Sequence, residues 1–260
     1  MPRMNDVNAI TVTNVSKSFV LPHEQRTSLK EHVLHPFAHT SYEVQSALKG
    51  VTVSIPQGEF FGILGANGSG KSTLLKIIAG VYRQDEGEVQ VNGLLSPFIE
   101  LGVGFNPELT GRDNIRISSA LLGLTRRELN ECFDAIVAFS ELERFMDQKL
   151  KNFSSGMMLR LAYSIAIQVE FDILLLDEVL AVGDVRFQEK CFETFRQIRA
   201  AGKTVVFVSH DLASIEQFCD RALLLRTGEV QMVGPARDVC DHYRTLEAAP
   251  VNASADAPSA

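Results

Sequence analysis

The sequence is poor in cysteine, and its few cysteines are too far apart to form a metal or redox motif. Cys132, Cys191, Cys219 and Cys240 include no CxxC pair, which excludes the common zinc-binding and thiol-exchange motifs. Four isolated cysteines in a chain of 260 residues are typical of free thiols in a reducing cytosol.

Long apolar runs are also lacking. The chain has no stretch of about 18 uncharged apolar residues, so we predict no membrane-spanning helix. The first residues, MPRMNDVNAI, have no apolar core of the kind that a secretory signal requires, and we expect no signal peptide. If the protein works at a membrane, we expect a partner to hold it there.

Positive charge is not in excess either. The formal net charge is −7, whereas proteins that bind nucleic acid or membrane surfaces usually carry a basic patch or stripe. We therefore expect no nucleic-acid partner. Hydrophobic residues make up 45% of the chain, which is enough for a sizeable core.

What the chain does contain is an alternation of short apolar runs with helical segments. FFGIL, DILLL and TVVFV are compact apolar runs of the kind that form buried parallel strands. Earlier in the chain, AITVTNVSKSF and SALKGVTVSIP alternate apolar and polar residues, as half-buried strands do. Buried strands that alternate with helices predict an α/β fold with a mostly parallel sheet.

Four stretches interrupt this alternation. A His-rich segment at about 21–43 has the pattern of an insertion with one short helix. Residues 94–111 are punctuated by Gly and Pro. The block at about 112–170 is helical and predicts a separate subdomain. The small residues and prolines of 246–260 predict a disordered tail.

A glycine-rich segment follows the first apolar run. GANGSGKST matches G-x-x-x-x-G-K-[ST] at every defined position and has a strand pattern before it and a helix pattern after it. Glycines let successive backbone N–H groups point at phosphate oxygens, and the following helix adds its positive end. The segment predicts a phosphate loop made of Gly65, Ala66, Asn67, Gly68, Ser69, Gly70, Lys71, Ser72 and Thr73.

The phosphate loop predicts a Mg²⁺–nucleotide site. Lys71 is placed to reach the β- and γ-phosphates, and the Ser72 hydroxyl to bind Mg²⁺. Asp177 and Glu178 follow a buried strand, where such sheets bind ligands, so we expect Asp177 to hold Mg²⁺ through water and Glu178 to activate the attacking water. His210 ends another buried strand and is placed to sense the γ-phosphate. A guanine-reading N-K-x-D motif is absent.

The segment FSSGM lies between the helical block and Asp177. With it, the chain resembles the nucleotide-binding subunit of ABC transporters, whose signature loop is usually written LSGGQ. Ser154 and Gly156 match that loop, whereas Ser155 replaces its first glycine and Met157 its glutamine. The resemblance implies a homodimer in which the signature loop of one subunit, with Ser154, Ser155 and Gly156, closes on ATP held by the other. A plain Ser helix cap is compatible with that role.

The resemblance covers residues 10–245. It implies the P-loop ABC ATPase core, with a mostly parallel sheet, an antiparallel β portion and a helical signature subdomain, as one nucleotide-binding domain over about 1–245. It also implies that Asp184 meets the partner subunit and that an early aromatic residue stacks on adenine. Phe19 fits that place by its distance from the strand, and Tyr42 is the alternative.

The glutamine that the family uses near Mg²⁺ is missing. Glu100 or Leu101 occupies its region, and the Glu100 carboxylate could bond a Mg²⁺-bound water. In the family, the segment that follows touches the membrane subunit, and the resemblance implies that Leu101, Gly102 and Phe105 couple hydrolysis to transport. The alternative to this coupling role is a loop whose apolar side chains pack on the core.

Three motifs narrow the resemblance further. ELGVGFNPELTGRDNI, SSGMMLRLA and DEVLAVGD resemble the ATPase subunits that export O-antigen, capsule, galactan or teichoic acid, the Wzt-like group. This implies a Wzm-like integral membrane permease, a lipid-linked polysaccharide and a place on the cytoplasmic face of the inner membrane. The alternatives are an ABC transporter for another substrate and a soluble ABC ATPase. The soluble class generally has two nucleotide domains or a long coiled coil, and this chain shows neither.

Overall fold

The computed structural model describes residues 7–22, 42–98, 104–177 and 184–248. The strands are β1 (Asn8–Pro22), β2 (Tyr42–Pro56), β3 (Phe60–Leu64), β4 (Glu86–Val91), β5 (Leu95–Phe98), β6 (Ile173–Asp177), β7 (Thr204–Val208), β8 (Arg221–Arg226) and β9 (Glu229–Pro235). The α-helices are α1 (Lys71–Ile78), α2 (Gly111–Leu121), α3 (Arg126–Ser140), α4 (Ser155–Ala166), α5 (Val185–Ala200), α6 (Leu212–Phe218) and α7 (Ala236–Ala248).

The larger sheet has the strand order β5-β6-β7-β3-β8-β9. All its pairings are parallel except that of β8 with β9, which is antiparallel. Strand β3 lies between β7 and β8, and all five of its residues are buried, as its uninterrupted apolar sequence predicts. The expected fold, a mostly parallel sheet with an antiparallel portion, is confirmed.

The smaller sheet is antiparallel, with the order β2-β1-β4. Its alternating sequences turn one set of side chains inward, among them the fully buried Ile10 and Ile55. These pack with Leu74 and Leu75 of α1 and with one face of β3 in a single apolar cluster. Helix α1 is thereby fixed between the two sheets, and its N-terminus lies at the carboxyl end of β3.

The other face of the larger sheet is covered by α4, α5, α6 and α7. Phe187 and Phe195 of α5 are fully buried there, together with Tyr163 of α4. Edge-to-face contacts join Phe195 to Phe60 and Phe187 to Tyr163. This second cluster packs on the face of the sheet opposite to α1. Its close packing holds the carboxyl ends of the strands in fixed positions relative to one another.

Helices α2, α3 and α4 bury a third apolar cluster. Ile115, Ile136, Met146, Leu161 and Ile165 are all buried within it. The helical subdomain at about 112–170 stays a prediction as a domain division, although the block it names has an apolar cluster of its own.

Strand β5 lies in the Gly- and Pro-punctuated stretch, where no strand was predicted. It is only four residues long, LSPF, and forms the edge of the larger sheet beside β6. Pro97 lacks a backbone donor, which an edge strand tolerates and a central strand does not. A short strand that contains proline has too weak a pattern to be recognised from sequence.

The predicted tail was wrong for its first three residues. Helix α7 continues to Ala248, because Tyr243 and Leu246 pack against the cluster behind the larger sheet. Residues 249–260 lie outside the described residues, as does the short helix predicted within the insertion. The described ends of that insertion, Pro22 and Tyr42, face each other across β1 and β2.

All four cysteines fall in described ranges and are free, as predicted. Burial raises the pKa of the Cys191 thiol to about 12 and that of Cys240 to about 11. Burial also raises the pKa of Cys219 and, to a smaller extent, of the half-buried Cys132. No cysteine is placed as a nucleophile.

We predict that Ile136→Ala destabilises the protein by about 2–5 kcal/mol, because it removes a fully buried side chain and leaves a cavity. Leu121→Ala is the matched control, since Leu121 belongs to the same helical block and is 62% exposed; it should cost less than about 1 kcal/mol. Urea unfolding followed by circular dichroism measures both. Equal effects would mean that the helical block has no tightly packed core.

Candidate nucleotide-binding site

The phosphate-loop sequence forms a tight loop between β3 and α1. Gly65 has φ 149° and Gly70 has φ 108°, values that favour glycine. A Cβ at Gly65 would overlap the Leu225 carbonyl oxygen, and one at Gly70 would lie 2.5 Å from the Ala47 carbonyl oxygen. The loop backbone is therefore pressed against β8 on one side and β2 on the other.

Helix α1 begins differently from the helices that follow it. Helices α2 to α6 each begin after a Thr, Ser or Asp whose side chain accepts a hydrogen bond from a first-turn N–H group. Helix α1 begins after Gly70 and has no side-chain cap. Its first-turn N–H groups and its positive end are thus available to an anion.

Lys71 is folded back over the loop. Its Nζ donates to the carbonyl oxygens of Gly65 at 2.8 Å and Ala66 at 3.0 Å, and the residue is only 6% exposed. The Ser69 hydroxyl is also buried and has no hydrogen-bond partner among the described residues, while the Ser69 carbonyl accepts from Gly228 N at 3.0 Å. The Lys71 ammonium group is thus held inside the loop. The hydrogen bond from Gly228 ties the loop to the turn after β8.

A cavity of about 620 Å³ opens over the loop. This volume lies within the range of ligand pockets in proteins. Its described lining consists of Phe19, Gln45, Ala47, Asn67, Gly68, Gly70, Lys71, Ser72, Thr73 and Asp177. The structure thus brings together most of the predicted phosphate loop, Phe19 and Asp177. Gly65, Ala66 and Ser69 lie in the same loop, outside that lining.

Asp177 and His210 lie at the same edge of the sheet as the loop. Strands β6, β7 and β3 are neighbours, and Asp177 and Ile63 both pair with Val208 of β7. His210 is exposed and follows two residues later. Asp211 begins α6, and the Ser214 hydroxyl and the N–H groups of Ala213 and Ser214 hold the pKa of Asp211 below its usual range.

Two residues that sequence analysis missed also line the cavity. Gln45 and Ala47 belong to β2, and Gln45 faces Phe19 across the ladder. Only the register of β1 on β2, two strands separated by the insertion in the chain, brings them there, so no sequence signal could have found them. Of the two candidate aromatic residues, Phe19 lines the cavity; the side chain of Tyr42 lies outside the described residues. The role of Phe19 stays a prediction.

Four predicted positions fall outside the ranges that the structure describes. Glu178 and Glu100 lie outside the described residues, and so do Leu101 and Gly102 of the predicted coupling segment. Phe105, which was expected to contact a partner, is half-buried and packs against both the cluster behind the sheet and the cluster of the helical block. For Phe105 the core-packing interpretation is therefore the one the contacts support.

The signature segment begins α4. Ser154 is the N-cap, and its Oγ accepts from Met157 N at 3.2 Å. Ser154 and Ser155 are exposed and Gly156 is half-buried. None of these three residues is among the described residues that line the cavity. Within one copy, the exposed helix start therefore does not contribute to the described wall of that cavity.

Asp184 is the N-cap of α5 and also contacts α4. Its Oδ1 accepts from Phe187 N at 3.0 Å and its Oδ2 from the Arg160 guanidinium at 2.7 Å. The Phe187 N–H and the Arg160 charge hold the pKa of Asp184 below its usual range. Arg160 also lies over the Phe187 ring, 4.8 Å from its centroid, and bridges Glu141 at 3.4 Å. The helix that begins at the signature segment is thus tied to the helix that follows Asp177 in the chain.

Comparison with known proteins agrees with this geometry. The model of the ABC transporter family matches residues 48–181. An O-antigen export system ATP-binding protein of Klebsiella pneumoniae is 39% identical over 238 residues, which cover 90% of this chain and 97% of that protein. A teichoic acids export ATP-binding protein of Levilactobacillus brevis is 39% identical over 243 residues, 93% of this chain and 66% of that protein. The resemblance inferred from the motifs is confirmed.

A solved structure with the same fold is a dimeric, post-hydrolysis state of an ATP-binding cassette bound to ADP and Pi. It is 26% identical, has a TM-score of 0.69 and covers 88% of this chain and 99% of that chain. The likeness confirms the P-loop ATPase fold.

We predict that Gly70→Ala abolishes measurable nucleotide binding, because a Cβ cannot lie 2.5 Å from the Ala47 oxygen without displacing the loop. Gly202→Ala is the matched control: its φ is 69° but its Cβ would meet no atom within 4 Å, so it should carry only the conformational cost of a left-handed alanine, about 1–2 kcal/mol. Titration with a fluorescent ATP analogue measures binding, and thermal unfolding reports the fold. Equal affinity in both variants would contradict the prediction.

Proposed function

Because this chain belongs to the ABC transporter family, we propose that it is the ATP-binding and ATP-hydrolysing subunit of a transporter that exports a lipid-linked surface polysaccharide. ATP hydrolysis follows from membership of the family. The substrate class is supported chiefly by one observation, the match to an O-antigen export protein over 97% of its length. The teichoic acids relative supports the same class of cargo.

The phosphate loop binds the triphosphate in this proposal. The uncapped N–H groups at the start of α1 donate to phosphate oxygens, and Lys71 turns from its carbonyl partners toward the β- and γ-phosphates. Asn67, Gly68 and Thr73 complete the wall of the cavity. The Phe19 ring, which also lines that cavity, stacks on adenine.

The oxygen donors of the site fit Mg²⁺. Ser72 and Asp177 line the same cavity, and Mg²⁺ prefers oxygen ligands, with the rest of its shell supplied by phosphates and water. Within the described ranges no group of three or more His, Cys, Asp or Glu side chains is placed to hold a metal. Bound there, Mg²⁺ neutralises charge on the transferred phosphoryl group. Glu100 remains a candidate for a contact through water.

The attacking water is activated by Glu178, the neighbour of Asp177 in the chain. A carboxylate at that point can orient the water and accept its proton. His210, at the end of the adjacent strand β7, senses the γ-phosphate. Support for both roles comes from the strand order, which brings the ends of β6, β7 and β3 to one edge.

The active site is completed by a second copy of the chain. Ser154 and Ser155 are exposed at the start of α4, and neither they nor Gly156 are among the described residues that line the cavity of their own copy, so they can serve the nucleotide of a partner. In the homodimer, the Ser154 hydroxyl and the positive end of α4 face the γ-phosphate held by the other subunit. Asp184 lies near the same interface.

A permease of the Wzm-like kind, embedded in the inner membrane, holds the ATPase at the cytoplasmic face. In the described part of the chain, no helix combines the length and apolar character needed to cross a bilayer. The alternative, an ABC transporter for another cargo, would keep every nucleotide contact above. The export experiment below separates the two.

We predict that Glu178→Gln binds ATP normally and hydrolyses it about 10²–10⁴-fold more slowly, because a positioned general base contributes a factor of that size. In cells that depend on this gene, the variant should also abolish surface polysaccharide and leave lipid-linked polymer inside. Purified protein gives the rates, and polymer extracted from the cell surface and interior gives the export.

The wild-type gene is the positive control in the same strain. Turnover within a few-fold of wild type would remove Glu178 from catalysis. Normal surface polysaccharide in a strain that lacks the gene would overturn the proposed substrate. The assignment of ATPase activity would still hold.

We also predict that Lys71→Ala and Ser154→Ala, each inactive alone, restore activity when mixed. A heterodimer of the two places both lesions in one site and leaves the other intact, so an equimolar mixture should show about a quarter of wild-type activity for random two-fold pairing. Steady-state ATPase assays of the mixed variants, after subunit exchange, measure this. Inactive mixtures in which exchange is demonstrated would argue against a site shared between subunits.

A further inference from the structure

We propose that the turn formed by residues 81–86, here called the platform turn, holds the Phe19 ring in position for the base of the nucleotide, with Tyr82 and Asp85 as positioning residues. The inference rests on the proposed function, in which Phe19 stacks on adenine. It identifies the residues that keep that ring in place before the nucleotide arrives.

Phe19 lies where β1 has lost one of its two neighbouring strands. The ladder between β1 and β4 ends at the pair of Ser16 and Glu86, and the Ser16 carbonyl accepts from Asp85 N at 2.9 Å. Beyond that point, β1 continues to Pro22 paired with β2, and none of its described pairings is with β4. A backbone hydrogen-bonded on one side only is less rigid than one within a sheet.

Beyond the end of β4, the Asp85 side chain supplies hydrogen bonds to the free side of β1. Its Oδ2 accepts from Ser18 N at 2.6 Å, and its Oδ1 accepts from Lys17 Nζ at 2.7 Å. Both carboxylate oxygens therefore bind the two residues that immediately precede Phe19. Hydrogen bonds to an ionised partner are stronger than neutral ones, and the Lys17 and Ser18 donors hold the pKa of Asp85 below its usual range, so the carboxylate stays charged at neutral pH.

Tyr82 contacts the Phe19 ring itself. The two ring centroids are 5.5 Å apart at an interplanar angle of 68°, the edge-to-face geometry that aromatic pairs prefer. The Lys17 ammonium lies over the Phe19 ring, 5.6 Å from its centroid, where its charge is attracted by the ring. A base that enters the cavity thus meets a ring whose orientation is already fixed, which lowers the entropic cost of stacking.

The platform turn is anchored to the phosphate-loop helix. Val81 N and Tyr82 N both donate to the Lys76 carbonyl, at 2.9 and 3.1 Å, and the Lys76 ammonium lies 5.4 Å from the Tyr82 centroid. Helix α1 has Lys71 at one end and this turn at the other, and its eight residues span about 12 Å. One short helix therefore fixes the separation between the phosphate site and the base site.

The test compares ATP with inorganic tripolyphosphate, which has the phosphates but no base. We expect Tyr82→Ala and Asp85→Ala to weaken ATP binding about 5- to 10-fold, since part of the stacking with the base is lost. Tripolyphosphate should bind within about two-fold of wild type, because the phosphate loop is unchanged. Tyr82→Phe keeps the aromatic ring that Tyr82→Ala removes, so it should bind ATP as the wild type does.

Asp172→Ala is a matched control. Asp172 makes the same pair of contacts, accepting from Leu94 N at 2.9 Å and Lys203 Nζ at 3.1 Å, but it lies at the opposite edge of the sheet, before β6. It should bind both ligands as the wild type does. Asp85→Asn, which keeps the shape of the side chain and removes its charge, serves if an alanine variant unfolds. Isothermal titration calorimetry measures the affinities.

Each outcome decides one claim. Equal loss of ATP and tripolyphosphate affinity in Tyr82→Ala and Asp85→Ala would mean that the turn supports the phosphate loop, and the proposal would be overturned. Normal ATP binding in both variants, with selective loss in Phe19→Ala, would overturn the positioning roles and keep that of Phe19. Unchanged ATP binding in Phe19→Ala would overturn the stacking role itself. A wild-type protein that binds neither ligand would overturn nucleotide binding.

Discussion

The close approach of three backbone segments is the constraint on which the rest of the structure depends. The phosphate loop runs so near to β8 that Gly65 has no room for a Cβ beside the Leu225 carbonyl, and so near to β2 that Gly70 has none beside Ala47. Gly228, in the turn after β8, donates to Ser69 and accepts from Lys49 of β2. The loop, the large sheet and the small sheet are thereby joined at one point, and the cavity lies over that point.

The sequence predicted this loop well because its requirements are local. The glycine pattern between a buried strand and a helix consists of consecutive residues. Each of the apolar runs that form β3, β6 and β7 also consists of consecutive residues. Contacts between distant segments were not predictable in the same way. Gln45 reaches the cavity only through strand register, Asp85 holds Phe19 across 66 positions of chain, and Phe105 carries no signal that tells a packed ring from an exposed one.

Phe105 and Arg160 are among the residues that connect the helical block to the rest of the protein. Phe105 packs against both the cluster behind the sheet and the cluster of the helical block, and Arg160 ties α4 to the start of α5 through Asp184. Packed apolar joints shift between discrete arrangements and do not deform smoothly. A movement of α4, which begins at the signature segment, must therefore repack Phe105 and carry the start of α5 with it. The signature segment and Asp184 then move together.

The burial of the cysteines has a consequence for experiments on this protein. Thiol reagents attack the thiolate, and its population falls as the pKa rises. Because Cys191, Cys219 and Cys240 are buried and burial raises the pKa of each thiol, these three cysteines offer little background to maleimides or spin labels. With the half-buried Cys132 replaced, a single cysteine introduced on the exposed start of α4 would be labelled selectively, and its spectrum would follow the meeting of two subunits.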